Sequence, residues 1–542
     1  MIMIKKQWIW AIWAIGMLSA CSNEDIFAPE TPQSGSGAIE LTVSASDFVT
    51  DGASHTRATD NDNETTFEDG DRIGLIIVAD NGKTLVADNL PYKYDGASWA
   101  FDTDNKEGKT IPYYNNRIKD VTYIAYFPYI QGANKVTTLD ALKGKFIPKN
   151  DQRNETNYRA SDLMVWTSGA ASVPQKKLNI ALAHAYASIS LSPKVKYTLD
   201  DGKSTVLSYV PSRVSKVCFT VGDVVFHPFQ AEDSSFRCIL PAGTSGSVRW
   251  FYTFDGKTYS SSRKFDGVAT ANTRYARQET MDGGEYSLDK AKAGDFYCKD
   301  GSGNGYLVPD DAPLSGEQKK ACLGIVYWVG DIKGDNYGLL NSKLPGGTHG
   351  LVVSLWDMPD PEDQDSFTMK WVYGEEYGPV NNWLSTAKWS DGTRPEDFKS
   401  IQVWDKMQGY ANTIALKEYN KKKLSDGTAT HRVKPVEGLA PFETAHPAPL
   451  NSSGWYWPSV CELKYVCWGQ GNEKGTKGKA MLNTQIEKVS GGNVFGNDMY
   501  LSSTEDDHPD WYYYAGKVNF ENGYTSSAFK WTAFPVRPLL AF

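Results

Sequence analysis

Histidine is scarce in this chain, with seven in 542 residues, and none pairs with another at metal-ligand spacing. There is no His-Glu-x-x-His, no Gly-x-Ser-x-Gly elbow, no Walker-type phosphate loop and no Cys-x-x-Cys. Without those constellations the chain does not read as an enzyme, and no cofactor or metal is expected. Basic excess is missing too. Lys and Arg total 56 against 65 Asp and Glu, a formal net charge of −9, so no cationic face is available to offset phosphate charge, and a nucleic-acid partner is excluded. Lys421, Lys422 and Lys423 form the one dense basic run and read as a solvated helix end. Long apolar runs are absent as well. Residues 8–17 give a stretch of about ten apolar side chains, half of the ~20 that a membrane-spanning helix needs.

That short run has a different use. Lys5 and Lys6 precede it, and Leu18, Ser19, Ala20 and Cys21 close it, the three-part layout of an export signal. The closing tetrad resembles a bacterial lipobox. The resemblance implies that residues 1–21 are a lipoprotein signal peptide, that Cys21 takes diacylglycerol and a further acyl chain such as palmitate, and that the protein is held at the outer membrane. Chains of that length give stable anchoring. Ser22, Asn23, Glu24 and Asp25 then resemble a surface-export signal of some Gram-negative anaerobes, which places the protein on the outer face of the cell. Residues 22–38, rich in Pro, Ser and Gly, read as a flexible tether.

Aromatics are plentiful, with 17 Trp, 30 Tyr and 22 Phe among frequent glycines. Together with short alternating segments they predict a mainly β chain of about three domains. Strands are expected at residues 39–45, 72–78, 92–94, 99–101 and 121–126, with Asn81-Gly82 and Asp95-Gly96 as turns. Between the first two lies a polar loop with Arg57 near its centre. With Cys21 lipidated, six cysteines remain: Cys218, Cys238, Cys298, Cys322, Cys461 and Cys467. They allow fifteen pairings; neighbours in sequence suggest Cys218 with Cys238 and Cys298 with Cys322, Cys461 and Cys467 stand six apart on an expected helix that does not bring them together neatly, and buried free thiols are the alternative.

Phe67, Gly70, Asp71, Ile73 and Gly74 resemble the F-x-x-G-D-x-I-G signature of the fimbrillin family. The family order continues through Thr56-Arg57-Ala58 ahead of it, then residues 94–99, 125–129 and 161–164. Leu182, His184, Ala187 and Ile189 resemble the strand that opens a fimbrillin's second half, with Leu182 in place of an aromatic. The resemblance implies two tandem β-sandwich domains of transthyretin-like topology, at residues 39–165 and 166–287. It also implies assembly into a fimbrium, or pilus, with other fimbrillin-type subunits as partners. In that scheme a protease cuts after Arg57, strand 39–45 leaves, and the vacated groove accepts a donor strand from a neighbour. The bland alternative is that Arg57 is one more loop residue. His184, flanked by apolar neighbours, reads as a hydrogen-bonded core side chain.

Beyond residue 287 the composition turns mixed α/β. Trp455 to Leu463, Tyr500 to Glu505 and Val536-Arg537-Pro538 resemble the bacterial surface module called domain of unknown function 1566, itself C-type-lectin-like, over residues 295–542. Capping boxes are expected at Thr393–Glu396, leading a helix over 398–416, and at Ser459–Glu462. Glu462, Glu505 and Arg537 read as buried ion-pairing residues that hold element ends. His349 reads as a turn residue with a backbone partner, and residues 360–365 as a solvated acidic loop. Residues 301–305 read as a plain loop, and Lys106 spoils residues 102–108 as a calcium loop. Two functions remain. One is a lipid-anchored pilus tip or accessory adhesin, because residues 535–542 are expected to be used up as the last strand of the module. The other is a stand-alone glycan-binding lipoprotein whose host or bacterial surface ligand stacks on exposed Trp455, Trp457, Trp511 and Tyr512 to Tyr514.

Overall fold

The structure, a computed structural model, describes residues 39–51, 66–80, 82–110, 119–169, 175–241, 243–332, 337–374, 380–386, 398, 400–508 and 513–542. Cys21, Arg57 and Trp511 lie outside the described residues, as do Tyr512 and the Thr393–Glu396 capping box. The chain divides into two compact units. Among the described residues, the first takes 39–45, 66–145 and 164–182; the second takes 46–51, 146–163 and 183–542.

The first unit is built around a closed barrel. Its strands run in the order Glu40–Ala45, Trp99–Phe101, Thr84–Tyr94, Arg72–Ala79, Thr122–Phe127, Met164–Thr167 and Lys177–His184, and the first pairs with the last. The sequence reading expected a two-sheet sandwich. Closure differs from that because Glu40–Ala45 pairs on both flanks, antiparallel at Leu41–Trp99 and parallel from Glu40–Lys177 to Ala45–Leu182. The motif glycines explain themselves locally. Gly70 has φ +96°, which favours a residue without Cβ. A Cβ on Gly74 would lie 2.1 Å from Tyr126 Cε1, inside the ring. The phenol of Tyr126 needs that space because it bonds Asn89 Oδ1 and Ile130 O. Phe67 packs edge-on to Trp99 at 5.0 Å and Phe127 at 5.5 Å. At the Asp95-Gly96 turn the carboxylate accepts the amides of Ala97 and Ser98, which holds it below its ordinary pKa.

The second unit opens with two sheets. One runs Phe229–Gln230, Phe236–Leu240, Ala187–Leu199, Thr273–Tyr286 and Val49–Thr50, with Val206–Tyr209 also paired to Ala187–Leu199. The other runs Val224–Phe226, Ser215–Val221, Ser245–Phe254 and Lys257–Val268. Ile189, Leu191, Phe219 and Trp250 are fully buried in one core with residues of the C-terminal region. That region adds a sheet of Gly305–Val308, Phe296–Lys299, Cys322–Val329, Gly350–Ser354 and Leu539–Ala541, a three-stranded sheet and several helices. Among the described residues no helix is long and apolar enough to cross a membrane.

Two helix starts separate good from poor sequence signals. Val460–Trp468 begins with a complete capping box, Ser459 with Glu462, as its pattern predicts. The other expected helix begins not at 398 but at Gly409, and runs Gly409–Ser425. Its N-terminus is set from outside, since Gly409 N–H donates to Glu462 at 2.9 Å. Lys422 and Lys423 occupy its last turn, as the basic run implied.

Candidate functional site

Three places bear on function: the seat of the first strand in the first unit, the start of the second unit, and the polar core of the C-terminal region.

In the first unit the strand Glu40–Ala45 alternates exposed and half-buried, and none of its six residues is fully buried. Its wall is the opposite. Leu178, Ile180 and Leu182 are at most 1 % exposed on Lys177–His184, and Tyr92 donates its hydroxyl to Ile39 O at 3.2 Å. Glu40 N donates to Lys176 O at 2.8 Å, and Glu40 pairs with Lys177 in solvent. Such an exposed pair adds little to the hold on the strand. Fully burying one Leu or Ile contributes about 1.5–3 kcal/mol. The groove floor is therefore the strongly apolar party, and the strand, though paired on both flanks, is lightly held by its side chains.

In the second unit residues 46–51 lie along the strand Thr273–Tyr286. Val49 pairs with Thr273 and Thr50 with Arg274, parallel; Val49 N donates to Asn272 O at 2.8 Å and Asp51 N to Arg274 O at 3.0 Å. Phe48, 8 % exposed, stacks flat on His184 with centroids 3.5 Å apart and planes 10° apart. The Arg274 guanidinium stands 5.3 Å from the same ring. His184 bonds Asp162 through Nδ1 at 2.8 Å, so two motifs that were separate in sequence meet in one contact. The reading of His184 as a bonded core residue holds, but its aromatic partner Phe48 was not legible.

The C-terminal motifs also converge. Glu505 is fully buried, ion-pairs with Lys530, and accepts the amides of Val380 and Asn381 at 3.0 and 2.9 Å. Lys530 also faces the Trp371 ring at 4.5 Å, and burial lowers its pKa. Arg537 reaches Asp357 at 2.7 Å, the carbonyls of Ser354 and Asn493, and the Phe495 ring at 4.3 Å. Glu462 departs from the expectation of ion pairing. It accepts from Ser459 N, Gly409 N and Tyr456 O–H instead, and burial raises its pKa. The cations and anions that complete these pairs, Lys530 and Asp357, sit outside the motifs.

The stacking platform needs correction at two positions. Trp455 is 5 % and Trp457 0 % exposed, with indole N–H groups donating to His446 O and Leu501 O. A ring held by core packing on its faces and by a carbonyl at its nitrogen offers no open face to a sugar. Other readings also shift. Asp360 ion-pairs with Lys434 at 2.7 Å instead of lying in solvent, because burial of both leaves pairing as the alternative to neutralisation. The ring of His349 meets Asp289 at 3.0 Å, while its backbone N–H donates to Phe542 O. The six described cysteines are free thiols. Cys218 and Cys238 belong to different sheets, whereas Cys298 and Cys322 face each other across paired strands.

Compared with known proteins, residues 56–220 match the family model described as "Fimbrillin-like". Over 93 % of this chain and 92 % of its own length, "Putative fimbrium tip subunit Fim1C" of Bacteroides ovatus is 24 % identical. Among solved structures, a fimbrial protein from Bacteroides ovatus is 20 % identical with a TM-score of 0.37, covering 93 % of this chain and 99 % of that one. The fimbrial anchor protein Mfa2 from Porphyromonas gingivalis is 12 % identical with a TM-score of 0.19, covering 41 % and 82 %. Residues 56–220 are thus similar to fimbrillins, and the relative matched over nearly the whole length is named as a fimbrial protein.

Proposed function

We propose that this chain is a lipid-anchored cell-surface fimbrial protein, a pilus tip or accessory adhesin that joins its fibre by strand exchange. The observation that carries the reading is an asymmetry between strands. Glu40–Ala45 is lightly held over an apolar groove, the arrangement that lets one strand leave and another replace it. Leu539–Ala541 is fully buried, paired to Gly350–Ser354 and bridged to Tyr456, so it is not free to be lent. A subunit that accepts a strand and keeps Leu539–Ala541 within its own sheet fits an end of a fibre. The relative over nearly the whole length carries the name of a tip subunit, which agrees. Cys21 supplies the lipid anchor and Arg57 the cleavage point in this scheme. The C-terminal region is the part displayed for adhesion. The glycan-binding alternative is left weaker by the burial of Trp455 and Trp457.

N-terminal sequencing of protein recovered from the cell surface tests the proposal. A start at Ala58 supports activation for strand exchange. A lipid-blocked Cys21 on all surface copies, including those in fibres, would sink exchange at this groove and leave a tethered binder.

A further inference from the structure

The second unit holds residues 46–51 at a place with its own chemistry. A backbone edge of Thr273–Tyr286 takes two amide bonds, through Asn272 O and Arg274 O. A slot lined by His184 and Arg274 takes one aromatic ring flat against the imidazole. Arg263 then ion-pairs with Asp51, three residues after the ring, while its guanidinium rests 5.0 Å from Tyr275. Between these two anchors the side chains point away, and Val49 is 54 % exposed. The slot floor is polar and prebuilt. Asp162 fixes the His184 ring through Nδ1, Nε2 of that ring has no hydrogen-bond partner among the described residues, and His184 N–H reaches Asn272 Oδ1.

We infer that the second unit carries an acceptor site for an extended segment of the form aromatic-x-x-acidic, occupied by this chain's own Phe48 to Asp51, and able to take an equivalent segment from a partner once that occupant is released. Release in the cell rests on the proposed cleavage, but the recognition does not. A flat aromatic lost from the slot would uncover an imidazole and a guanidinium together. Another π face serves both, whereas an aliphatic side chain offers the cation nothing. The main-chain bonds supply affinity without sequence preference, and the ring and the carboxylate supply the preference.

The test uses the full chain with one specific protease site placed between residues 52 and 65. After nicking, release of the N-terminal fragment is followed by size exclusion, and hydrogen exchange in Ala187–Leu199 confirms that the second unit stays folded. The fragment should stay bound in the parent. Phe48→Ala should release it at least ten-fold faster, Asp51→Asn by a smaller factor, and Val49→Ala at the parent rate. A synthetic peptide of residues 39–51 should displace a labelled fragment, and the same peptide carrying Phe48→Ala should need at least ten-fold more. Equal release from the parent and Phe48→Ala chains, or equal displacement by the two peptides, overturns the acceptor site. These readouts need no fibre. A chain that never assembles but shows the Phe48 effect would remove the fibre proposal and leave the acceptor site standing.

Discussion

The strand Glu40–Ala45 of the first unit and the strand Leu539–Ala541 of the second are both short, yet they are held in opposite ways. The first has no fully buried residue and its ion pair lies in solvent. The second is buried throughout, and even its backbone is over-determined: Ala541 N donates to Ser453 Oγ at 2.9 Å, and Leu539 exchanges bonds with Tyr456. Adjacent to it, Arg537 anchors the approach to the strand through Asp357 and two carbonyls. The difference teaches that strand pairing alone does not make a strand permanent. What surrounds its side chains decides.

The largest effect should come from breaking the polar core on the permanent side. Glu505→Ala strands a buried Lys530 and the amides of Val380 and Asn381, and should cost about 3–5 kcal/mol in urea unfolding. A cost under 1 kcal/mol would mean that this core is not what makes the region rigid.

Asp295 gives a pH-dependent test in the same unit. Burial raises its pKa to about 7, although Tyr286 O–H and the amides of Lys292 and Asp310 donate to it. A carboxyl whose folded pKa exceeds its unfolded value stabilises only while protonated. Its contribution is therefore full below about pH 4, is lost as pH rises toward 7, and is flat above that. The lost amount is on the order of 2–4 kcal/mol. Asp295→Asn should flatten the difference in stability between pH 4 and pH 8, measured as thermal midpoints against the parent. An unchanged slope would place the titration elsewhere.

In the first unit, Gly74→Ala should cost about 1–3 kcal/mol by forcing the Tyr126 ring aside, whereas Gly82→Ala, with open space around it, should show only backbone strain. Circular dichroism melts of the two variants separate overpacking from conformation. The smallest effect is the sharpest for the comparison. Leu41→Ala should lower global stability by about 1 kcal/mol or less, because the side chain is only half-buried. Hydrogen exchange should show the amides of residues 41–45 opening well before those of Leu539–Ala541. Equal protection of the two strands would erase the distinction on which the fibre proposal stands.

Local pattern was legible where one residue type decides a conformation. The alternation at 39–45, the turn at Asp95-Gly96, the Ser459–Glu462 capping box and the glycine at position 70 all follow from backbone geometry that the sequence states outright. The late start of the helix Gly409–Ser425 was not legible, because the group that caps its first amide is Glu462, 53 residues away.

The candidate sites divide the same way. Sequence alone marked His184 and Asp162 as separate motif residues and Glu505 and Arg537 as paired ones. It could not supply Phe48, Lys530 or Asp357, since nothing local distinguishes a residue that will meet a partner from 25 to 180 positions away. Nor could it tell a Trp that is core from one that is surface. Trp455 and Trp457 carry the same side chain either way, and only the carbonyls of His446 and Leu501 waiting at their ring nitrogens settle it. Composition, charge and periodicity determined that this is a β-rich acidic chain. Which strand is held lightly, which is locked and which ring fills the slot on His184 were decided by long-range packing, because burial is a property of the neighbours and not of the residue.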